Sequence, residues 1–223
     1  MAVIAYDNSG KASSSSGDIS QSFTVTGTDT FLAVVLTHNT TINSVTYAGV
    51  ALTKLTTQSS LNYGVLDFWY LIAPATGANT LAIDGNADFV SATWASYTGV
   101  KQTGFPDSQS KQDPTTPSSP ITGSTTTVAD NCWLIGGFST AFGAAQDFAA
   151  GTDTTLRQSN RYDSAGTFYT ACITDSNAAK TPAGSYSLAV TFPGSPGDIA
   201  NIMVSIAPAV EATSGASGYS FFM

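Results

Sequence analysis

The chain is poor in the residues that usually carry chemistry. Among its 223 residues it has one histidine, His38, one glutamate, Glu211, and two cysteines, Cys132 and Cys172. A Ser–His–Asp hydrolase needs a histidine base. His38 ends the run FLAVVLTH, and no G-x-S-x-G turn occurs anywhere in the chain, so His38 reads as the polar end of a strand. The cysteines stand far apart rather than in the C-x-x-C spacing of a zinc site. Two buried thiols are the favoured reading, with a disulfide open if their strands prove to be neighbours.

Charge is scarce as well. Charged residues make up 10% of the chain, against about 25% in ordinary soluble domains. The net charge is −8, the isoelectric point is near 4.2, and the seven basic residues are scattered. A phosphate backbone needs clustered Lys and Arg, so no nucleic-acid partner is expected. No apolar run approaches the ~18 residues of a membrane span, so no membrane partner is expected either. The start, MAVIAYDNSGK, lacks a basic segment followed by a long apolar one, as a secretory signal would have. Synthesis in the cytoplasm is the expectation.

What is present points to strands. All acidic residues but Glu211 are aspartates, and Asp suits turns where Glu suits helices. Alternation with period two dominates. In GSYSLAVTF, Tyr186, Leu188, Val190 and Phe192 share one face. FLAVVLTH (31–38) is apolar throughout and suits a strand covered on both sides. VLDFWYLIA places Leu66, Phe68, Tyr70 and Ile72 together, with Asp67 and Trp69 on the other side. Further strands are expected at 2–7, 20–26, 42–48, 51–57, 78–84, 89–97, 120–127, 131–140, 153–159, 167–175 and 199–207. Turn signals separate them, and the spacing is that of a sandwich or barrel. The pattern predicts one all-β antiparallel sandwich of about twelve strands over 1–209. The Pro- and Ser-rich stretch 101–120 is expected to be a crossing loop within that sandwich, with a linker between two domains as the alternative, and no repeat of fixed period is visible.

Four segments form a familiar series: INSVTYAGVALTKLTT (42–57), LDFWYLIAPATGANTLAI (66–83), ASYTGVKQT (95–103) and IMVSIAPA (202–209). They resemble a poorly characterised group of β-sandwich domains found in bacterial surface proteins and in structural proteins of tailed bacteriophages. The resemblance spans residues 2–209. It implies a jelly-roll-like sandwich with roles in binding or assembly, and no catalytic residues or cofactor. A chain that stands alone, lacks a signal and carries an added tail is closer to the phage-structural branch. The expectation is therefore a virion protein, a head decoration or accessory subunit, whose partners are copies of itself or other virion proteins.

Three other features have the residue types of a site. Asp84, Asn86 and Asp88 follow the start of a calcium loop, but Phe89 stands where glycine is needed and Ala95 where a bidentate Glu would close it. An EF-hand is excluded and a plain turn preferred, so no metal ligand is assigned. The aspartates fall in turn contexts, and no pair stands out as a glycosidase acid and nucleophile. Asp67 with Trp69, and Tyr162 with Asp163 and Tyr63 in expected loops, have the aromatic and acidic character of a glycan-binding surface. That makes a host-surface glycan the alternative partner, set against a core role for Trp69, Trp94 and Trp133.

The last feature is the C-terminal segment 210–223. EATSGASG has no alternation, and then Tyr219, Phe221, Phe222 and Met223 close the chain. Burying such side chains contributes about 1.5–3 kcal/mol each, against an ordering cost of roughly 1–2 kcal/mol per residue. The expected role of the four is to dock on a neighbouring subunit as one part of a larger contact.

Overall fold

The computed structural model describes residues 2–39, 41–60, 64–86, 88–112, 118–142, 147–194 and 198–210. Nine strands come from the first half of the chain. They are β1 (Ala5–Ser14), β2 (Ile19–Val25), β3 (Phe31–His38), β4 (Ile42–Tyr47), β5 (Val50–Ala51), β6 (Thr53–Ser60), β7 (Gly64–Ile72), β8 (Gly77–Gly85) and β9 (Val90–Thr98). Eight come from the second: β10 (Ser108–Gln112), β11 (Ile121–Thr126), β12 (Trp133–Phe142), β13 (Ala149–Ala150), β14 (Thr155–Ser164), β15 (Thr167–Asp175), β16 (Ser185–Thr191) and β17 (Asp198–Ile206). Among the described residues there is no helix, as the excess of Asp over Glu predicts.

Among the described residues the strands make four sheets, and neighbouring strands in them run antiparallel. The first half supplies an inner sheet, β1-β9-β3-β7-β6, and an outer sheet, β2-β8-β4-β5. The second half supplies an inner sheet, β10-β17-β12-β15-β14, and an outer sheet, β11-β16-β13. Three apolar cores lie between these layers. Phe23, Val45, Tyr47 and Leu81 of the first outer sheet pack on Leu32, Val34, Leu36 and Trp94 of the first inner sheet. On its other face, that inner sheet packs Phe31, Val35, Phe68 and Tyr97 against Trp133, Ile135, Ile202 and Val204 of the second inner sheet. Leu134, Phe138 and Met203 then meet Ile121, Leu188 and Val190 of the second outer sheet.

This layering explains the sequence of β3. Both inner sheets are covered on both faces, so a strand at their centre has no solvated side and cannot alternate. All eight residues of β3 are buried. Each fully buried Leu, Val or Phe there contributes about 1.5–3 kcal/mol of apolar transfer energy. The strands at the outside do alternate: β11 buries every second residue, and β16 buries Leu188 and Val190 between less buried neighbours.

Ala48 and Gly49 both have positive φ, 51° and 76°, the geometry of a tight two-residue hairpin turn between β4 and β5. The chain then crosses layers. Leu52 still donates its N–H to the Val45 carbonyl at 2.8 Å, after which β6 joins the inner sheet.

The single sandwich expected over 1–209 is thus resolved into two stacked sandwiches, with seventeen strands among the described residues where about twelve were expected. The stretch 101–120 is not simply a crossing loop. It holds the junction between the halves and β10, whose sequence SQSKQ has no apolar residue and pairs only along β17. The segment 211–223, with Tyr219, Phe221, Phe222 and Met223, lies outside the described residues.

Candidate functional site

Asp67 and Trp69 are not on an exposed face. The side of β7 that carries them turns toward the first outer sheet, and they are 0% and 7% exposed. Asp67 is the centre of a buried polar cluster. Thr57 Oγ1 donates to its Oδ1 at 2.5 Å, and Trp69 Nε1 donates to Oδ2 at 3.3 Å. Lys54 Nζ and His38 Nε2 approach the same Oδ2 at 2.8 Å and 3.2 Å. Lys54 also lies 5.0 Å from the centre of the Trp69 ring. Burial pushes the Asp67 carboxyl up, but the bonds from His38, Lys54 and Thr57 outweigh it and hold the pKa down at about 2. A carboxylate this acidic, saturated by four donors, is a poor general base. The cluster ties β3, β6 and β7 together.

Tyr162 and Asp163 sit elsewhere, on the hairpin of β14 and β15. Tyr162 is half-buried and stacks on Phe89 at 5.4 Å with planes 9° apart. Phe89 also stacks on Tyr169, the cross-strand neighbour of Tyr162, at 3.8 Å. Phe89 comes from the loop before β9, so the three rings join the two sandwiches at one end. Asp163 is exposed, and its Oδ1 accepts the Gly166 N–H at 3.0 Å to close the hairpin turn. Arg161 beside it bonds Asp147 at 3.2 Å and lies 5.7 Å from the centre of the Phe168 ring. The structure therefore does not bring Asp67, Trp69, Tyr162 and Asp163 into one patch. Tyr63 lies outside the described residues.

The remaining candidates are committed to structure. All three tryptophans are in cores. Asp84 and Asn86 both accept from Asn43, at 3.3 and 3.1 Å, while Asp88 accepts from Asn39 at 2.7 Å. Among the described residues no group of three or more His, Cys, Asp or Glu is placed to hold a metal ion. Cys132 and Cys172 are buried and free. Burial, with Asp107 nearby, pushes the Cys132 thiol up to about 12, and burial raises Cys172 well above the usual thiol value. Neither has the depressed pKa of a reactive thiolate.

One feature was not legible in the sequence. The two ends of the described chain meet: Ala2 N–H donates to the Ala209 carbonyl at 3.2 Å, and Ala209 N–H donates to Gly99 at 2.8 Å. Beside them is a mostly apolar pocket of about 250 Å³, lined by Ala2, Val3, Ile4, Asn131, Trp133 and Ala179. Val3 and Val210 are 80% and 78% exposed. No alternation marks this pocket, because it is made where chain ends and loops converge.

Fold and sites together define an all-β sandwich protein whose polar side chains mostly serve its own framework. Comparison with known proteins adds no relative: no family model, no curated protein and no solved structure matches the chain.

Proposed function

We propose that this is a non-enzymatic structural subunit of a tailed-bacteriophage particle, a head decoration or accessory head or tail protein. It assembles through its sandwich surfaces and its C-terminal segment. The observation that carries the reading is the exit of the chain. Ala209 is bonded on both sides, on one of them to Ala2 of the apolar pocket, and the next residue, Val210, is exposed and lines a separate cleft with Asp29, Lys101, Gln102 and Thr103. Tyr219 is nine residues further on, a span of at most about 32 Å at ~3.6 Å per residue. That is long enough to carry Tyr219, Phe221, Phe222 and Met223 to the same pocket of a neighbouring copy. The phage assignment rests on the resemblance of 42–57, 66–83, 95–103 and 202–209. The strand order, β1-β9-β3-β7-β6 facing β2-β8-β4-β5, is compatible with the jelly-roll-like sandwich that the resemblance implies.

Light scattering on the full chain and on a variant ending at Ala209 tests the proposal. The full chain is expected to form a defined oligomer and the shortened one a folded monomer. Identical monomers would remove the tail from assembly. The glycan-binding reading would then be tested at Tyr162 and Asp163.

A further inference from the structure

The two sandwiches are built alike. Matching β1, β9, β3, β7 and β6 with β10, β17, β12, β15 and β14 reproduces the order of both inner sheets, and β2-β8-β4 likewise matches β11-β16-β13. The likeness extends to single residues. With Phe31 set against Trp133, the β3–β9 pair Leu32–Ser96 corresponds to the β12–β17 pair Leu134–Ser205. The β3–β7 pair Leu36–Asp67 corresponds to Phe138–Cys172. β6 bulges between Lys54 and Thr56, opposite Trp69 and Phe68. β14 bulges between Leu156 and Gln158, opposite the matching Thr174 and Ile173. A bulge kept at one position in both halves is a shared design feature.

A polar clasp recurs too. Asp7 accepts from Ser96 Oγ at 2.7 Å and from the Thr26 N–H at 2.9 Å, just past β2. Asp107 accepts from Ser205 Oγ at 2.9 Å and from the Val128 N–H at 2.8 Å, just past β11. Ser96 and Ser205 are the residues matched above.

Several contacts between the halves are reciprocal, although β1 packs on β14 more extensively than its counterpart β10 does on β6. Lys11 of β1 donates to the Ser159 carbonyl at 2.7 Å, and Lys111 of β10 donates to the Thr57 carbonyl at 2.8 Å. Ser159 lies opposite Cys172 and Thr57 opposite Asp67, so the acceptors are matched positions. β9 touches β14 and β15, while β17 touches β6 and β7. At the crossing point Val100 bridges Pro208 while Ala209 donates to Gly99, a pair that maps onto itself when the halves are exchanged. Residue i touching j while j touches i is the rule of a two-fold interface between identical subunits.

We infer that the chain is two copies of one sandwich module in tandem, paired through an isologous interface, so that the face of each inner sheet recognises a second copy of the same module. The copies have diverged in their polar residues. Asp67, His38, Lys54 and Trp69 match Cys172, Thr140, Leu156 and Thr174, so the charged cluster belongs to the first half alone. Arg157 and Asp175, an ion pair in the second half, match Leu55 and Tyr70. The pairing itself buries mainly apolar surface.

Two measurements test this, one on the whole chain and one on its two halves. In the first, the order of the modules is reversed in a permuted chain running Gly104–Met223 and then Met1–Thr103. The described residues on either side of the junction, Ala2 and Ala209, are already in contact, and residues 210–223 with Met1 form the connection. A permuted protein with the parental circular dichroism and a thermal midpoint within a few degrees is expected. Failure to fold would overturn the inference. In the second, a protease site is inserted between Thr103 and Gly104, both exposed, and the cut protein is separated in denaturant. The two fragments are expected to recombine one to one. The first fragment refolded alone is expected to sediment as a dimer, because the interface is self-complementary. A first fragment that stays monomeric or unfolded at every concentration, while still recombining with the second, would refute a shared recognition face.

Discussion

Replacing Asp67 by Asn removes one charge from a site where it is fully buried and bonded to His38, Lys54, Thr57 and Trp69. The folded pKa is lowered from 3.8 to about 2. By linkage that difference amounts to roughly 2 kcal/mol of stability at neutral pH. The sign follows from the lowered value. Between about pH 4 and pH 2 the unfolded chain binds the proton that the folded chain refuses, so this stability is complete above the unfolded pKa. It fades as pH falls through the folded one. Asn also leaves the Lys54 ammonium without its partner. That side chain is 40% exposed and turns to water, which keeps the cost below the ~3–5 kcal/mol of breaking a fully buried pair. A loss of about 2–3 kcal/mol is expected at pH 7, a fall of some 4–12 °C in midpoint for a chain of this size. The assay is denaturant unfolding of both proteins at pH 7, 5 and 3. The gap between them should be largest at pH 7 and shrink by roughly half at pH 3. A gap that is absent at pH 7, or the same at pH 7 and pH 3, would refute the reasoning.

Other perturbations read other parts of the frame. Arg157→Leu strips the buried Asp175 of bonds at 2.6 and 3.0 Å and should cost about 3 kcal/mol in denaturant unfolding; an unchanged midpoint would show that the pair contributes nothing. Gly99→Ala should cost at least about 1–2 kcal/mol from its left-handed backbone alone, because φ is +69°, and more because the new Cβ would lie 2.3 Å from the Val3 carbonyl oxygen. Calorimetry reads that loss, and a neutral substitution would mean the crossing point is not packed as described. Cys132 and Cys172 should resist a thiol reagent in the native protein at pH 8 and react together on unfolding, since burial holds both thiols protonated; rapid native labelling of either contradicts this.

The sequence made the strands legible wherever a face is buried. β3 and β15 have the expected bounds, and FLAVVLTH signals cover on both sides. Asp67 and Trp69 were misread as exposed for the same reason that β3 was read well. Their alternation with Leu66 and Phe68 suggests one wet face, but the middle of an inner sheet has none. β10 was hidden because SQSKQ is a polar edge, held by the ladder to β17 rather than by apolar side chains. The doubling of the module was hidden because what the halves share is register, bulge position and burial. The matched residues themselves differ, as Asp67 and Cys172 do. Asp163 looked like a ligand-facing acid, and its carboxylate closes a turn, which no spacing rule separates from a binding role.

The most direct test of assembly through the C-terminal segment is a photo-crosslinking phenylalanine at Phe221. It is placed in a mixture of light and heavy isotope-labelled copies, and the products are read by mass spectrometry. The account predicts light–heavy crosslinks from position 221 to the pocket around Val3, Trp133 and Ala179 of another copy. Crosslinks confined to the same copy, or none to that pocket, would contradict it.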